Sequence, residues 1–305
     1  MSASEPLDPP LASLSRRLPE PRAALTLIKP VTWFAPVWAM GCGVVSSGVP
    51  VSSHLGEVVG ALLLAGPLVC GTSQAANDWF DRHVDAINEP DRPIPSGRVP
   101  GRWGLWIALI GTALSLQVAL SLGGAVVFAT VVGLVLAWAY SAPPVRLKMN
   151  GWFGNTAVGL CYEGLPWFTG AAALSGAMPD ARITTVALLY SAGAFGIMIL
   201  NDFKAIEGDE ALGIRTIPVQ LGVTRAVRLA CVVMAVPQVV VVALLIGFGA
   251  VGHAACVVVV LVLQLALMPW LMRDPRAHAP RYNASGTSLY VTGMMISAFA
   301  LRGLG

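Results

Sequence analysis

Residues 58–98 read VVGALLLAGPLVCGTSQAANDWFDRHVDAINEPDRPIPSGR. The segment 58–78 is largely apolar and about 20 residues long, the length an α-helix needs to cross a bilayer. At Asn77 the character inverts, and five carboxylates (Asp78, Asp81, Asp85, Glu89 and Asp91) follow within fifteen residues. The chain of 305 residues is 56% hydrophobic and 11% charged, against roughly 25% charged in a soluble domain. A membrane span that runs straight into negative charge is therefore the unit to explain. It sets the fold class as all-α integral membrane and marks one end of the bundle as the place for chemistry.

Working outward, apolar runs near 30–48, 58–78, 103–121, 124–141, 152–175, 183–203, 226–247, 250–272 and 284–301 predict nine transmembrane helices. The third and fourth are joined only by the stretch SLGG and form a tight hairpin. Lys and Arg collect in alternate loops. Of the 19, 17 fall on the side that holds Lys29, Arg92, Arg146, Lys148, Lys204 and Arg276, and only Arg182 and Arg302 fall on the other. The positive-inside rule puts the N-terminus in the cytoplasm and the C-terminus on the opposite side. Residues 1–28 read as a cytosolic tail without a secretory leader, carrying a short interfacial helix at Leu11–Leu18, and 29–305 as one transmembrane domain. A net charge of +3 gives no reason to expect nucleic acid. The five cysteines are scattered through apolar segments with no close pair and read as buried thiols.

A second acidic stretch, NDFKAIEGDEALGIRTIP at 201–218, ends the sixth span on the same side as the first. Nine of the sixteen acidic residues lie in these two stretches. Both begin Asn-Asp-aromatic, and both reach Arg-x-Ile-Pro, at Arg92 and at Arg215. Asn77, Asp81 and Asp85 are spaced i, i+4, i+8 and form one stripe on a helix. Asp202 and Asp209 share a face if the helix continues past Gly208. Carboxylates stacked in this way repel, and something cationic must offset the repulsion. Basic side chains can do so, but grouped hard oxygens suit Mg²⁺, which takes one or two carboxylates together with substrate phosphate. The candidate metal ligands are Asn77, Asp78, Asp81 and Asp85 in the first stretch and Asp202, Glu207 and Asp209 in the second. Arg92, Arg146, Lys148 and Lys204 stand where a diphosphate would need them, since guanidinium groups bind phosphate oxygens bidentately. The plainer alternative is a pair of solvated helix ends with positive-inside anchors. Arg98, Arg102, Arg225 and Arg228 read as such anchors.

These segments resemble the UbiA superfamily of membrane prenyltransferases. NDWFDRHVDAINEPDRPIPSG is similar to its NDxxDxxxD motif, YSAPPVRLK at 140–148 to its loop after the fourth helix, and NDFKAIEGDEALGIRTIPVQLG to its second acidic motif. DAINEPDRPIPSG, NDFKAIEGD, LIKPVTWFAPVWAMGCGVVSSG and CYEGLPWFTGA look like the chlorophyll and bacteriochlorophyll synthase branch. The resemblance implies a UbiA-type nine-helix bundle with a cytoplasmic-side active-site cavity. It implies Mg²⁺-dependent transfer of a geranylgeranyl or phytyl group from its diphosphate to the propionate of a bacteriochlorophyllide. The setting it implies is a bacterial inner or intracytoplasmic membrane, among lipid and pigment-biosynthesis or assembly proteins, with the C-terminus periplasmic. Asp81, Asp85 and Asp209 become central to catalysis. One departure stands out: the superfamily's second motif is often DxxxD, and Ala205 stands where the earlier Asp would be, leaving Asp202 or Glu207 to substitute.

The chemistry asked of such a site is ionisation of an allylic diphosphate. A propionate acceptor is already ionised at neutral pH, so no general base is required. Glu163, mid-span in GLCYEGLPWF, is a functional candidate by its depth. It contacts the acceptor or orients Tyr162, or else is a protonated group hydrogen-bonded between helices. His83 reads as a solvated histidine. Competing readings are a prenyltransferase for a quinone precursor or haem, a structural assembly protein, and a secondary transporter. Transport sites favour the bilayer midplane, whereas both acidic stretches lie at one surface.

Overall fold

The computed structural model describes residues 18–304. Among these, every regular element is helical, and the β-type pairing is confined to one parallel bridge between Asn150 and Arg215. Helix α1 (Pro21–Leu27) and α2 (Phe34–Ser46) are separated by a bend at Lys29, whose φ of 45° is left-handed. Then come α3 (Leu55–Leu63) and α4 (Gly71–Asn88), α5 (Trp103–Leu122), α6 (Gly124–Ser141), α7 (Gly151–Gly159) and α8 (Leu165–Ser175). The chain continues through α9 (Ala181–Asp202), two short helices α10 (Ile206–Ala211) and α11 (Ile217–Leu221), and three long ones, α12 (Val223–Gly247), α13 (Val251–Arg273) and α14 (Pro275–Arg302). The expected α5–α6 hairpin is present, turning on Gly123 at a φ of 115°. The interfacial helix expected at Leu11–Leu18 lies, but for Leu18, outside the described residues. Residues 21–27, assigned above to the tail, form α1, which buries Ala23 and Leu27 with Ala75, Ala76, Val99 and Ala108.

Eight helical segments are long and apolar enough to cross a membrane. They correspond to eight of the nine expected spans. The other, at 152–175, is helical from Gly151 to Ser175 but is not among the eight. Asn155, Glu163 and its glycines dilute its apolar character.

Two of these rods contain a widened π-helical turn, at Leu64–Cys70 between α3 and α4 and at Leu160–Gly164 between α7 and α8. Proline accounts for both positions. Pro67 lies within the first turn, and Pro166 is the second residue of α8, which follows the second turn. Each lacks the N–H that a regular helix would place on the carbonyl four residues back.

Helices approach closely where side chains are small, the membrane mode of packing. A Cβ on Gly43 would lie 2.0 Å from the Trp167 carbonyl oxygen, and one on Gly170 would lie 2.3 Å from that of Met40. Trp167 Nε1 donates to Ser46 Oγ across the same contact at 3.0 Å. On the other side, Tyr190, Tyr290 and Ser297 form a buried polar knot between α9 and α14. The bundle so built brings the C-terminal ends of α4 and α9 to one end. There the Asn150–Arg215 bridge ties the loop after α6 to the loop after α10, with Gly151 N donating to Arg215 O at 2.8 Å and Arg215 N to Met149 O at 3.0 Å.

Candidate active site

Helix α4 continues unbroken past the apolar segment to Asn88, so Asn77, Asp81 and Asp85 do form one stripe. Asp78 is buried beside them. Lys29 Nζ donates to Asp78 Oδ1 at 2.7 Å, and Arg92 Nη1 reaches the same oxygen at 3.4 Å. Arg92 Nη1 also donates to Asp85 Oδ2 at 2.9 Å, while its Nε and Nη2 hold the two oxygens of Glu89 at 2.7 and 2.8 Å. Lys148 Nζ donates to both oxygens of Asp81, and Arg146 Nη2 lies 3.8 Å from Asp81 Oδ1. Four cations from three separate parts of the chain thus face four carboxylates. The repulsion inferred from the sequence is offset here by basic side chains.

The environments bend the chemistry of these groups. Burial pushes the Lys148 ammonium below the ordinary lysine range, against the opposing pull of Asp81. Its hydrogen bonds with Arg92 hold Glu89 below the usual carboxylate range. Arg146 sits at a φ of 42°, a left-handed conformation that costs a non-glycine residue about 1–2 kcal/mol. Such strain persists where the surroundings over-determine it, and the bridge through Met149, Gly151 and Arg215 does so here.

The second stretch differs from the simplest expectation. Helix α9 ends at Asp202 and α10 restarts only at Ile206, so Asp202 and Asp209 do not share one helical face. Asn155 Nδ2 donates to Asp202 Oδ2 at 3.2 Å, and Asn283 Nδ2 to Asn201 Oδ1 at 2.8 Å. Asp209 is half-buried, and burial raises its carboxyl above the ordinary range. Glu207 points outward, exposed, and accepts from Arg276 Nη1 at 2.6 Å. Lys204 and Arg215 are exposed and form no ion pair among the described residues.

Between the two stretches lies a cavity of about 520 Å³. Asn77, Tyr140, Lys148 and Asn201 line its polar end, and apolar side chains such as Leu136, Val158, Ile197 and Met198 line its walls. The leading Asn of each Asn-Asp pair therefore faces one shared space. Glu163, 4% exposed, also lines this cavity, about 18 Å along the helix from Gly151. Tyr162 is held by Gln74 Nε2 at 3.1 Å and by Cys70 Sγ at 3.6 Å, not by Glu163. His83 lies exposed on α4.

Among the described residues, no three His, Cys, Asp or Glu side chains come together at metal-ligating distance. Mg²⁺ needs fewer, because it completes its shell with water and substrate phosphate. Asp78 Oδ2 is a buried oxygen without a hydrogen-bond partner among the described residues. With Asp81 and Asp85 alongside it, the donor set fits a hard divalent cation. Lys29, Tyr140 and Asn155 are site residues that the sequence reading passed over. For Lys29 the signal is the Lys-Pro step at the foot of the first span, and Tyr140 opens the YSAPPVRLK stretch without being singled out in it; no sequence signal marks Asn155.

Apolar helices of membrane length, with acidic helix ends and a basic loop at one end of a largely apolar cavity, make a membrane-embedded chamber that is charged at one end and greasy along its walls. The chain belongs to the UbiA prenyltransferase family, whose model matches residues 33–290. It is 58% identical over 289 residues to the bacteriochlorophyll synthase 33 kDa chain of Cereibacter sphaeroides, covering 95% of this chain and 96% of that one. It is 55% identical to the corresponding chain of Rhodobacter capsulatus, covering 96% and 97%. In fold it is similar to a UbiA homolog from Archaeoglobus fulgidus solved bound to DMAPP and Mg²⁺, with a TM-score of 0.68, 19% identity, and coverage of 93% and 100%.

Proposed function

We infer that this chain is a prenyltransferase of the bacteriochlorophyll synthase type. It transfers a geranylgeranyl or phytyl group from its diphosphate to the propionate of a bacteriochlorophyllide. The observation that carries the reaction type is the shared cavity: Asn77, Asn201 and Lys148 line one space whose walls are largely apolar. The acceptor is inferred from the identity to the bacteriochlorophyll synthase chains.

The diphosphate sits at the polar end with its chain along the apolar walls. Asn77, Asp78, Asp81 and Asp85 on α4, with Asp202 and Asp209 opposite, would hold Mg²⁺. When bound, the metal supplies positive charge to the leaving diphosphate, and the Archaeoglobus fulgidus fold relative was solved with that ion. Lys148 and Arg146 then turn from Asp81 to phosphate oxygens, with Lys204 and Arg215 from the opposite loop. Positive groups fixed where negative charge develops are the largest catalytic term such a site has. The C1–O bond of the prenyl diphosphate breaks with its electron pair left on diphosphate. A propionate oxygen forms the new C–O bond at C1, and no proton moves. Lys29 and Arg92 stay on the carboxylates and keep the stripe in place. Glu207, paired outward with Arg276, has no part in the inner set.

In the membrane, Gly151–Ser175 is the fifth of nine crossings, the N-terminus is cytoplasmic and the C-terminus periplasmic. The site then opens on the cytoplasmic side of the inner membrane. The test uses purified protein with Mg²⁺, geranylgeranyl diphosphate and bacteriochlorophyllide a, followed by chromatography, with Asp81→Asn as control. Esterified pigment from the wild type alone supports the reading. Prenylation of 4-hydroxybenzoate instead would keep the reaction type and discard the acceptor.

A further inference from the structure

Glu163 is a buried carboxyl that the reaction above leaves unused. It belongs to the widened turn Leu160–Gly164, and turns of this kind recur at functional sites. It is 4% exposed, lines the cavity, and its Oε2 has no hydrogen-bond partner among the described residues. None of the ion pairs among those residues includes it. An ionised carboxylate in that setting would forfeit its hydration with nothing to repay it. The group facing the cavity is therefore the neutral acid, with one O–H to donate. The groups close enough to feel it, Cys42 and Tyr290, form no hydrogen bond with it among the described residues, and Tyr290 gives its O–H to Tyr190 O.

A prenyl chain is hydrocarbon and offers no acceptor for an O–H. The partner must be the other substrate. We propose that Glu163 is an acceptor-binding residue, donating a hydrogen bond to a carbonyl oxygen on the periphery of the macrocycle while the propionate lies toward Lys148. This rests on the functional reading above and adds to it the site that orients the ring. One rigid, flat substrate touched at both ends of the cavity would present its propionate to C1 in a single pose.

The experiment compares wild type, Glu163→Gln and Glu163→Leu as full-length protein in detergent. The readouts are KM for bacteriochlorophyllide a, KM for geranylgeranyl diphosphate, and the absorption maximum of the bound pigment. Leucine fills a similar volume and removes an unpaired polar group, so the fold should tolerate it. The leucine variant is expected to raise the acceptor KM by about five- to tenfold, to leave the diphosphate KM unchanged and to shift the pigment band. The glutamine variant, whose amide still donates, should restore all three. Equal loss in both variants would mean that the charged form matters and would overturn the proposal. Wild-type behaviour in both, or a change in the diphosphate KM alone, would overturn it too. A wild type that esterifies no bacteriochlorophyllide would instead refute the functional reading, so the two failures are told apart.

Discussion

Replacing Lys148 by methionine separates its two roles. Its side chain is 11% exposed and that of Asp81 20%, so the pair is shielded without being dry. Methionine keeps the stem and removes the ammonium, leaving Asp81 with Arg146 at 3.8 Å as its nearest cation. Hydrogen bonds to charged groups contribute about 1.5–3 kcal/mol. The remaining hydration of Asp81 and the nearby guanidinium put the expected stability loss near the lower end, about 1–2 kcal/mol. Activity should fall much further. Removing one fixed donor from a developing oxyanion costs about 2.7–4 kcal/mol, or about 100- to 1,000-fold in kcat. The assay is the initial rate with both substrates saturating, beside thermal unfolding of Lys148→Met, Asp81→Asn and the double variant. The stability cycle should show the double variant recovering most of the loss, which identifies the ion pair. If Lys148→Met keeps kcat within about threefold of wild type while losing the stability, Lys148 is a counter-ion alone and the reasoning fails.

Three further outcomes follow from the same geometry. Asp209 carries a carboxyl raised by burial, so on acidification it takes up a proton earlier than an ordinary carboxylate and then competes with Mg²⁺. Mg²⁺ affinity of the ligand-free protein, followed by calorimetry, should therefore begin to fall above the ordinary carboxylate range on acidification, and Asp209→Asn should flatten that part of the curve. Arg92→Lys should lower the melting temperature by the equivalent of about 1 kcal/mol, because an ammonium cannot hold both oxygens of Glu89 and reach Asp85 together; an unchanged melt would contradict this. Gly43→Ala would set a Cβ 2.0 Å from the Trp167 carbonyl oxygen. Overpacking of this kind costs about 1–3 kcal/mol, readable as a lower melting temperature with the substrate KM values unchanged.

Much of the architecture was legible because membrane spans announce themselves by length and apolarity. Asn77, Asp81 and Asp85 were readable as a stripe because α4 is one uninterrupted helix and local periodicity decides its faces. The second stretch was less readable. Whether α9 passes Gly208 depends on how Phe203 and Ile206 bury in the core beneath, a tertiary choice, and the break turns Glu207 outward. Lys29 meets Asp78 across 49 residues of chain, and Asn155 meets Asp202 across 47. Neither pairing has a periodic signature. Arg92 was readable as a site residue, but its grip on Glu89 and Asp85 required the fold of the Pro-rich turn. The span at 152–175 shows the opposite limit. The same Asn155 and Glu163 that make it interesting weaken the hydropathy by which a crossing is counted.

The central claim is that the cavity end breaks the bond between C1 and the diphosphate oxygen, and that the acceptor's carboxylate takes C1. Prenyl diphosphate labelled with a heavy isotope at the oxygen bridging C1 and phosphorus tests this directly. After a single turnover with bacteriochlorophyllide, mass spectrometry locates the label. The account predicts that all of it leaves with diphosphate and none enters the ester. Label in the ester would mean that the bond to phosphorus was cut instead, and would contradict the mechanism.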